Sequence, residues 1–197
     1  MGVLVAVLIV SAQLSFPVSF TPVPITFQTL AIMFICAVLK PLPATLTVLS
    51  YISMGAMGVP VFSGWQNGWV AFTQHTAGFI VGFVPITIFM SICVQAIEKR
   101  YSKMAAGGVC RYNITPKRCV TKKYLLLTLV IIGFTIILYA FGAIWLYIFI
   151  RYIAATNVNL TFGATLMTAA VPFLLGDSIM AAAFLMCYER IVGLGER

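Results

Sequence analysis

Acid is nearly absent from this chain: four Asp and Glu stand against twelve Lys and Arg in 197 residues, and charged residues of both signs make up only 8%. So few charges exclude an ordinary soluble domain, which covers its core with polar surface and keeps its apolar share near ~45–50%. Here that share is 62%, with a mean hydropathy of +1.08. Histidine occurs once, at His75, and the five cysteines show no C-x-x-C spacing, so no metal site is expected. No G-x-x-x-x-G-K-S/T segment is present, which excludes ATP hydrolysis by the P-loop route. A Ser/His/Asp set and an intramembrane carboxylate pair are also missing, so neither an enzyme nor a bound cofactor is expected.

What the chain has instead is uninterrupted apolar length. Residues 1–39, 41–97, 124–150, 152–176 and 178–188 carry no charge. A helix crosses the hydrocarbon core in roughly 20 residues, so the stretch 41–97 must hold two. Proline and glycine clusters divide the rest: Pro17, Pro22 and Pro24, then Lys40-Pro41-Leu42-Pro43, then Gly58-Val59-Pro60 with the segment Ser63 to Gly68. Six spans result, at about 2–18, 25–39, 43–59, 70–97, 124–150 and, broken, within 160–190. The apolar start reads as a retained first helix, because no basic residue precedes it. The expected fold class is an all-α integral membrane protein with six transmembrane helices, forming one transmembrane domain over 1–197.

Basic residues test that count, since Lys and Arg collect on the cytoplasmic side. Lys40 falls in the second connection, eight fall between Lys99 and Lys123 in the fourth, and Arg190 and Arg197 follow the last helix, leaving only Arg151 on the other side. Both termini are therefore expected in the cytoplasm, with a basic cytoplasmic loop at about 98–123. Topology and anionic lipid headgroups account for that loop, so no nucleic-acid partner is expected. Its Cys110 and Cys119, and the membrane-embedded Cys36, Cys93 and Cys187, are expected as reduced thiols. Val23-Pro24-Ile25-Thr26 recurs as Val84-Pro85-Ile86-Thr87, too short a match to establish an internal repeat.

Asp177 is the most informative residue. Glu98, Glu189 and Glu196 sit beside basic residues at helix ends, whereas Asp177 lies deep in apolar sequence. A carboxylate there is costly and usually faces a cavity or a partner. Pro172 and Gly176 precede it, so it either caps the final helix or both caps and contacts a ligand. Its charge-assisted hydrogen bonds suit the N–H groups of a ureido or amide ring. A second polar concentration runs from Phe62 to Phe79 and holds Trp65, Asn67, Trp69, Gln74, His75, Thr76 and Gly78. Amides and hydroxyls there can bond a ligand, Gly78 allows close backbone approach, and Trp65 or Trp69 can clamp an apolar body or simply anchor at the interface. Arg151 reads as an interfacial anchor, with ligand-carboxylate capture as the alternative.

Residues 22–31 (PVPITFQTLA), 51–62 (YISMGAMGVPVF) and 171–177 (VPFLLGD) resemble the PVPITLQTLA, YLLLGALGLPVF and LPFLPGD segments of the BioY family, the biotin-specific substrate-binding (S) components of energy-coupling factor transporters. The resemblance implies a six-helix S-component fold in the cytoplasmic (inner) membrane, biotin in an outward-facing cavity, and docking on a transmembrane coupling protein driven by ATPase subunits. It implies a docking role for Gly2 and Ala6, matching the family's small-x-x-x-small motif. It also exposes two departures. Met180 stands where the family's Gly-Asp-x-x-Lys motif has lysine, and Gln74-His75-Thr76-Ala77-Gly78 replaces GPTGG. The lost lysine leaves open a related vitamin or biotin precursor as cargo, and a membrane scaffold without ligand is the remaining alternative.

Overall fold

The computed structural model describes residues 1–16, 24–106, 116–153, 173–174 and 176–188. The expected breaks at Pro17, Pro22 and Pro172, the loop residues Cys110 and Arg111, and Arg190 and Arg197 lie outside them. The described residues form six helices: α1 Gly2–Gln13, α2 Gln28–Val38, α3 Pro41–Ala56, α4 Ala77–Ala106, α5 Pro116–Ile148 and α6 Gly176–Tyr188. Between α1 and α2, a two-residue antiparallel ladder pairs Ser15 with Thr26 and Phe16 with Ile25. Short 3-10 turns, Ser63–Trp65 and Trp69–Thr73, lie between α3 and α4, and a π-helical turn, Phe149–Ile153, continues α5.

Several boundaries differ from expectation for local reasons. Pro41 and Pro43 do not precede α3 but begin it, because the first turn has no use for the N–H that proline lacks. The basic residues expected in the fourth connection are partly helical, since α4 runs on to Ala106 and α5 starts at Pro116; Lys, Arg and Glu favour helix once the chain leaves the bilayer. Ile25-Thr26 is strand while Ile86-Thr87 is helix, so the recurring tetrapeptide adopts two structures.

Helices α4 and α5 form the most extensive pair, with α2 and α3 against α4 and α1 against α2 and α3. The centre is filled by Leu8, Ile32, Tyr51, Ile86, Phe134 and Phe184, all inaccessible to solvent. The outer surface is apolar too: Val3, Leu125, Ile136 and Ile179 are all more than half exposed. A helix apolar on all sides belongs in lipid. Among the described residues, two stretches are long and apolar enough to cross a membrane alone, Ala77–Ser102 and Thr121–Arg151. At 1.5 Å per residue the 12 residues of α1 fall well short of the roughly 30 Å core.

Pro85 interrupts the bonding of α4, and hydroxyls crowd around it: Thr87 donates to the Phe83 carbonyl at 2.6 Å and Ser91 to the Thr87 carbonyl at 2.6 Å. At the other end of the helix, Lys123 pairs with Glu98 at 2.9 Å, Tyr188 donates to the same carboxylate at 2.7 Å, and the Lys123 ammonium sits 5.3 Å from the Tyr188 ring centre. This cluster ties α4, α5 and α6 together.

Candidate functional site

Above the apolar centre, the helices part around a cavity of about 650 Å³, including the volume open to solvent. Ile25, Phe79, Ile80, Phe83, Leu138 and Phe173 make its apolar wall, and the polar lining comes from Thr26, Gln28, Thr29, Tyr51, Ser63, Gln66, Thr76, Tyr139 and Asp177.

Asp177 sits in the first turn of α6, 9% exposed. The positive end of that helix favours a negative group there. Tyr139, on α5, donates its hydroxyl to Asp177 Oδ2 at 2.5 Å, and the Thr29 hydroxyl of α2 faces the same carboxylate. Three helices thus converge on one acidic group. Elsewhere in the lining, Thr26 donates to Gln28 Oε1 at 3.0 Å, Gln28 Nε2 donates to the Tyr51 hydroxyl at 2.7 Å, and Tyr51 donates to the Val61 carbonyl at 3.3 Å. Every member of this chain is satisfied, so it holds the wall rigid rather than leaving a costly orphan in the interior.

The roof is the connection between α3 and α4. Phe62 plugs it into the protein: its ring lies against Gly55, where a Cβ would overlap it, and edge-on to Tyr51 and Phe72. Gln13, the last residue of α1, clamps the same segment. Its Nε2 donates to the Phe62 carbonyl at 3.0 Å and the Val61 carbonyl at 3.4 Å, and its Oε1 accepts from the Trp65 backbone N–H at 3.2 Å. Trp65 has φ +60°, a conformation disfavoured for a side chain of its size, so that last bond offsets local strain. Gln13→Leu removes all three bonds at similar volume. The expected loss is about 1–2 kcal/mol of stability, measured as a lower thermal midpoint of the detergent-purified protein; Gln13→Glu gives no rescue, because it keeps the acceptor for Trp65 but sets a carboxylate oxygen against the Val61 and Phe62 carbonyls.

Of the seven candidate ligand residues, Asp177 and Thr76 line the cavity. Trp65 and Trp69 are 66% and 77% exposed, and Asn67 is exposed beside them. Gln74 is half-buried, and its backbone carbonyl accepts from Trp145 Nε1 at 2.8 Å. Gly78 is buried at the α4–α5 contact, where an added Cβ would overlap Trp145 Cβ and lie 2.7 Å from the Phe141 carbonyl oxygen. It serves close helix approach. His75 packs edge-on to Phe149 at 6.0 Å, and Arg151 donates to the Tyr147 hydroxyl at 2.8 Å. Gly2 and Ala6 lie on the exposed face of α1, with nothing within 4 Å of a Cβ built on Gly2. Among the described residues there is no cluster fit for a metal ion.

Sequence reasoning missed Tyr139, Gln28 and Tyr51 as lining residues. Gln28 and Tyr51 lie inside two of the three recognisable segments, which was the available signal. Tyr139 offered none, being one of several tyrosines in apolar sequence.

The family model described as BioY matches residues 1–196. A biotin transporter BioY from Rhizobium etli is 32% identical over 180 residues, covering 90% of this chain and 83% of that protein. A probable biotin transporter BioY from Pyrococcus horikoshii is 29% identical over 189 residues, covering 96% and 91%. In three dimensions the chain shares the fold of the S-component for biotin from an ECF-type ABC transporter, with a TM-score of 0.69 at 19% identity, over 99% of this chain and 88% of that one. Matched along nearly its whole length by the family model and at 32% identity by a relative it largely covers, the chain belongs to the BioY family, whose members are integral, multi-pass membrane transporters and not enzymes.

Proposed function

We propose that this chain captures biotin as the S component of an energy-coupling factor transporter in the cytoplasmic membrane. One observation carries the reading: a cavity with an apolar wall and a buried carboxylate at one end, already oriented by Tyr139 and Thr29. A ureido ring offers two N–H donors to such a carboxylate, and an aliphatic tail fits against Phe79, Phe83 and Leu138. Thr76, Ser63 and Gln66 supply neutral hydrogen bonds on the roof side. Asn67, Trp65 and Trp69, on the outer face of the roof, act at entry and at the headgroup interface, and Gln74 and Gly78 support the wall from behind.

The six-helix bundle spans the membrane as a unit with both termini in the cytoplasm, an orientation supported by the one-sided distribution of Lys and Arg. The cavity then opens outward. Because the chain has no nucleotide-binding loop, energy for uptake comes from ATPase subunits through a transmembrane coupling protein, which docks on the exposed α1 face bearing Gly2 and Ala6.

Calorimetry of the detergent-purified chain with biotin, desthiobiotin and an unrelated vitamin tests this. Saturable one-to-one biotin binding is expected, together with thermal stabilisation of about 2.7 kcal/mol at a hundredfold excess over Kd. Binding of another panel member in preference to biotin transfers the site to a related cargo, the alternative that Met180 in the lysine position favours. No binding by any small molecule leaves a scaffold subunit.

A further inference from the structure

The charge inventory of the cavity is one-sided. Among the described lining residues Asp177 is the only charged side chain, and no described Lys, Arg or His joins it there. Its described neighbours are neutral: Tyr139 from α5, Thr29 from α2, and buried Met180 one turn further along α6. Of the basic residues flanking the cavity segments in sequence, His75 packs against Phe149 and the exposed Arg151 donates to Tyr147. Chain segments 17–23 and 154–172 contain no Lys, Arg or His either.

A negative charge buried in a membrane with only neutral partners is costly, and a cation that pairs with it removes that cost. A protonated amine has three donors. Asp177, Thr29 and the Tyr139 oxygen offer acceptors for all three at one end of the cavity. We infer that the Asp177 end is a subsite for a primary ammonium group, so that the chain takes linear ω-amino acids of about biotin's length as a second ligand class. The methylene chain lies along Phe79, Phe83 and Leu138, and the far carboxylate meets the donors of Ser63 and Thr76. This rests on the reading of the cavity as the ligand site.

Direct calorimetry of the detergent-purified chain with biotin, ω-aminooctanoate and octanoate tests the inference, each ligand titrated separately. The amine-bearing acid is expected to bind at least about tenfold more tightly than octanoate. Asp177→Asn should bring the two within about twofold of each other, as should Met180→Lys, which places a competing cation one turn from the carboxylate. An amine that binds no better than octanoate to the unaltered chain overturns the inference, and so does an amine preference undiminished in Met180→Lys. If biotin binds and the amine does not, the inference falls and the proposed function stands. If the amine binds and biotin does not, the inference stands and the biotin assignment falls. If neither binds, both fall.

Discussion

Replacing Asp177 by Asn is expected to weaken biotin binding by roughly 10- to 150-fold, corresponding to about 1.5–3 kcal/mol for hydrogen bonds to a charged group. The substitution keeps the shape of the side chain and removes its charge. Asp177 is 9% exposed and held by Tyr139 at 2.5 Å, so little solvent screening softens the loss. Tyr139→Phe keeps the ring that packs on Phe173 and deletes only the hydroxyl, which frees the carboxylate to leave its bound orientation. It should lower affinity by a smaller factor. The two effects should also fail to add: in an Asp177→Asn background the Tyr139 hydroxyl has lost the charged acceptor through which it acts. Calorimetry on the four proteins of this cycle measures the coupling. Fully additive losses would mean that Tyr139 contacts the ligand independently, and unchanged affinity in Asp177→Asn would remove that residue from the site.

Gly78→Ala is expected to destabilise the protein by about 1–3 kcal/mol, the usual cost of forcing a methyl group into a filled contact. The new Cβ meets Trp145 Cβ and the Phe141 carbonyl, both fixed to the α5 backbone, so no rotamer change relieves the overlap and the two helices must separate. Because Thr76, Phe79 and Phe83 of that region line the cavity, biotin should bind more weakly as well. Gly2→Ala makes the contrast: nothing lies within 4 Å of its Cβ, so the thermal midpoint and biotin affinity should stay as they were. Thermal unfolding of both variants in detergent, with and without biotin, separates a helix-packing glycine from one on an open face. Assembly with a coupling protein is the measurement in which Gly2 should matter.

The roof segment illustrates how far sequence reasoning reaches. Polar residues from 62 to 79 stand out in so apolar a chain, and a role near the site follows. Which of them face inward does not follow. Two 3-10 turns with positive φ at Gly64, Trp65 and Gly68 set the directions, sending Phe62, Ser63 and Gln66 to the cavity and Trp65, Asn67 and Trp69 outward. That arrangement depends on the Phe62 ring filling the space left by Gly55 and on the reach of Gln13 from α1, some 50 residues away in sequence. No local periodicity encodes such contacts.

By itself the sequence determined the class of protein, the number of helices, the absence of enzymatic machinery and the singularity of Asp177. Each of these rests on what lipid tolerates: the transfer cost of charge and of unpaired backbone acts residue by residue, so composition and spacing report it directly. Only the tertiary structure decided that Tyr139 and Thr29 meet Asp177, that Gln28 and Tyr51 bond to each other in the cavity lining, and that Gly78 is a packing contact. In helices apolar on every side the sequence carries little record of which face turns inward. That choice belongs to the packing of whole helices against one another, and with it the chemistry of the cavity.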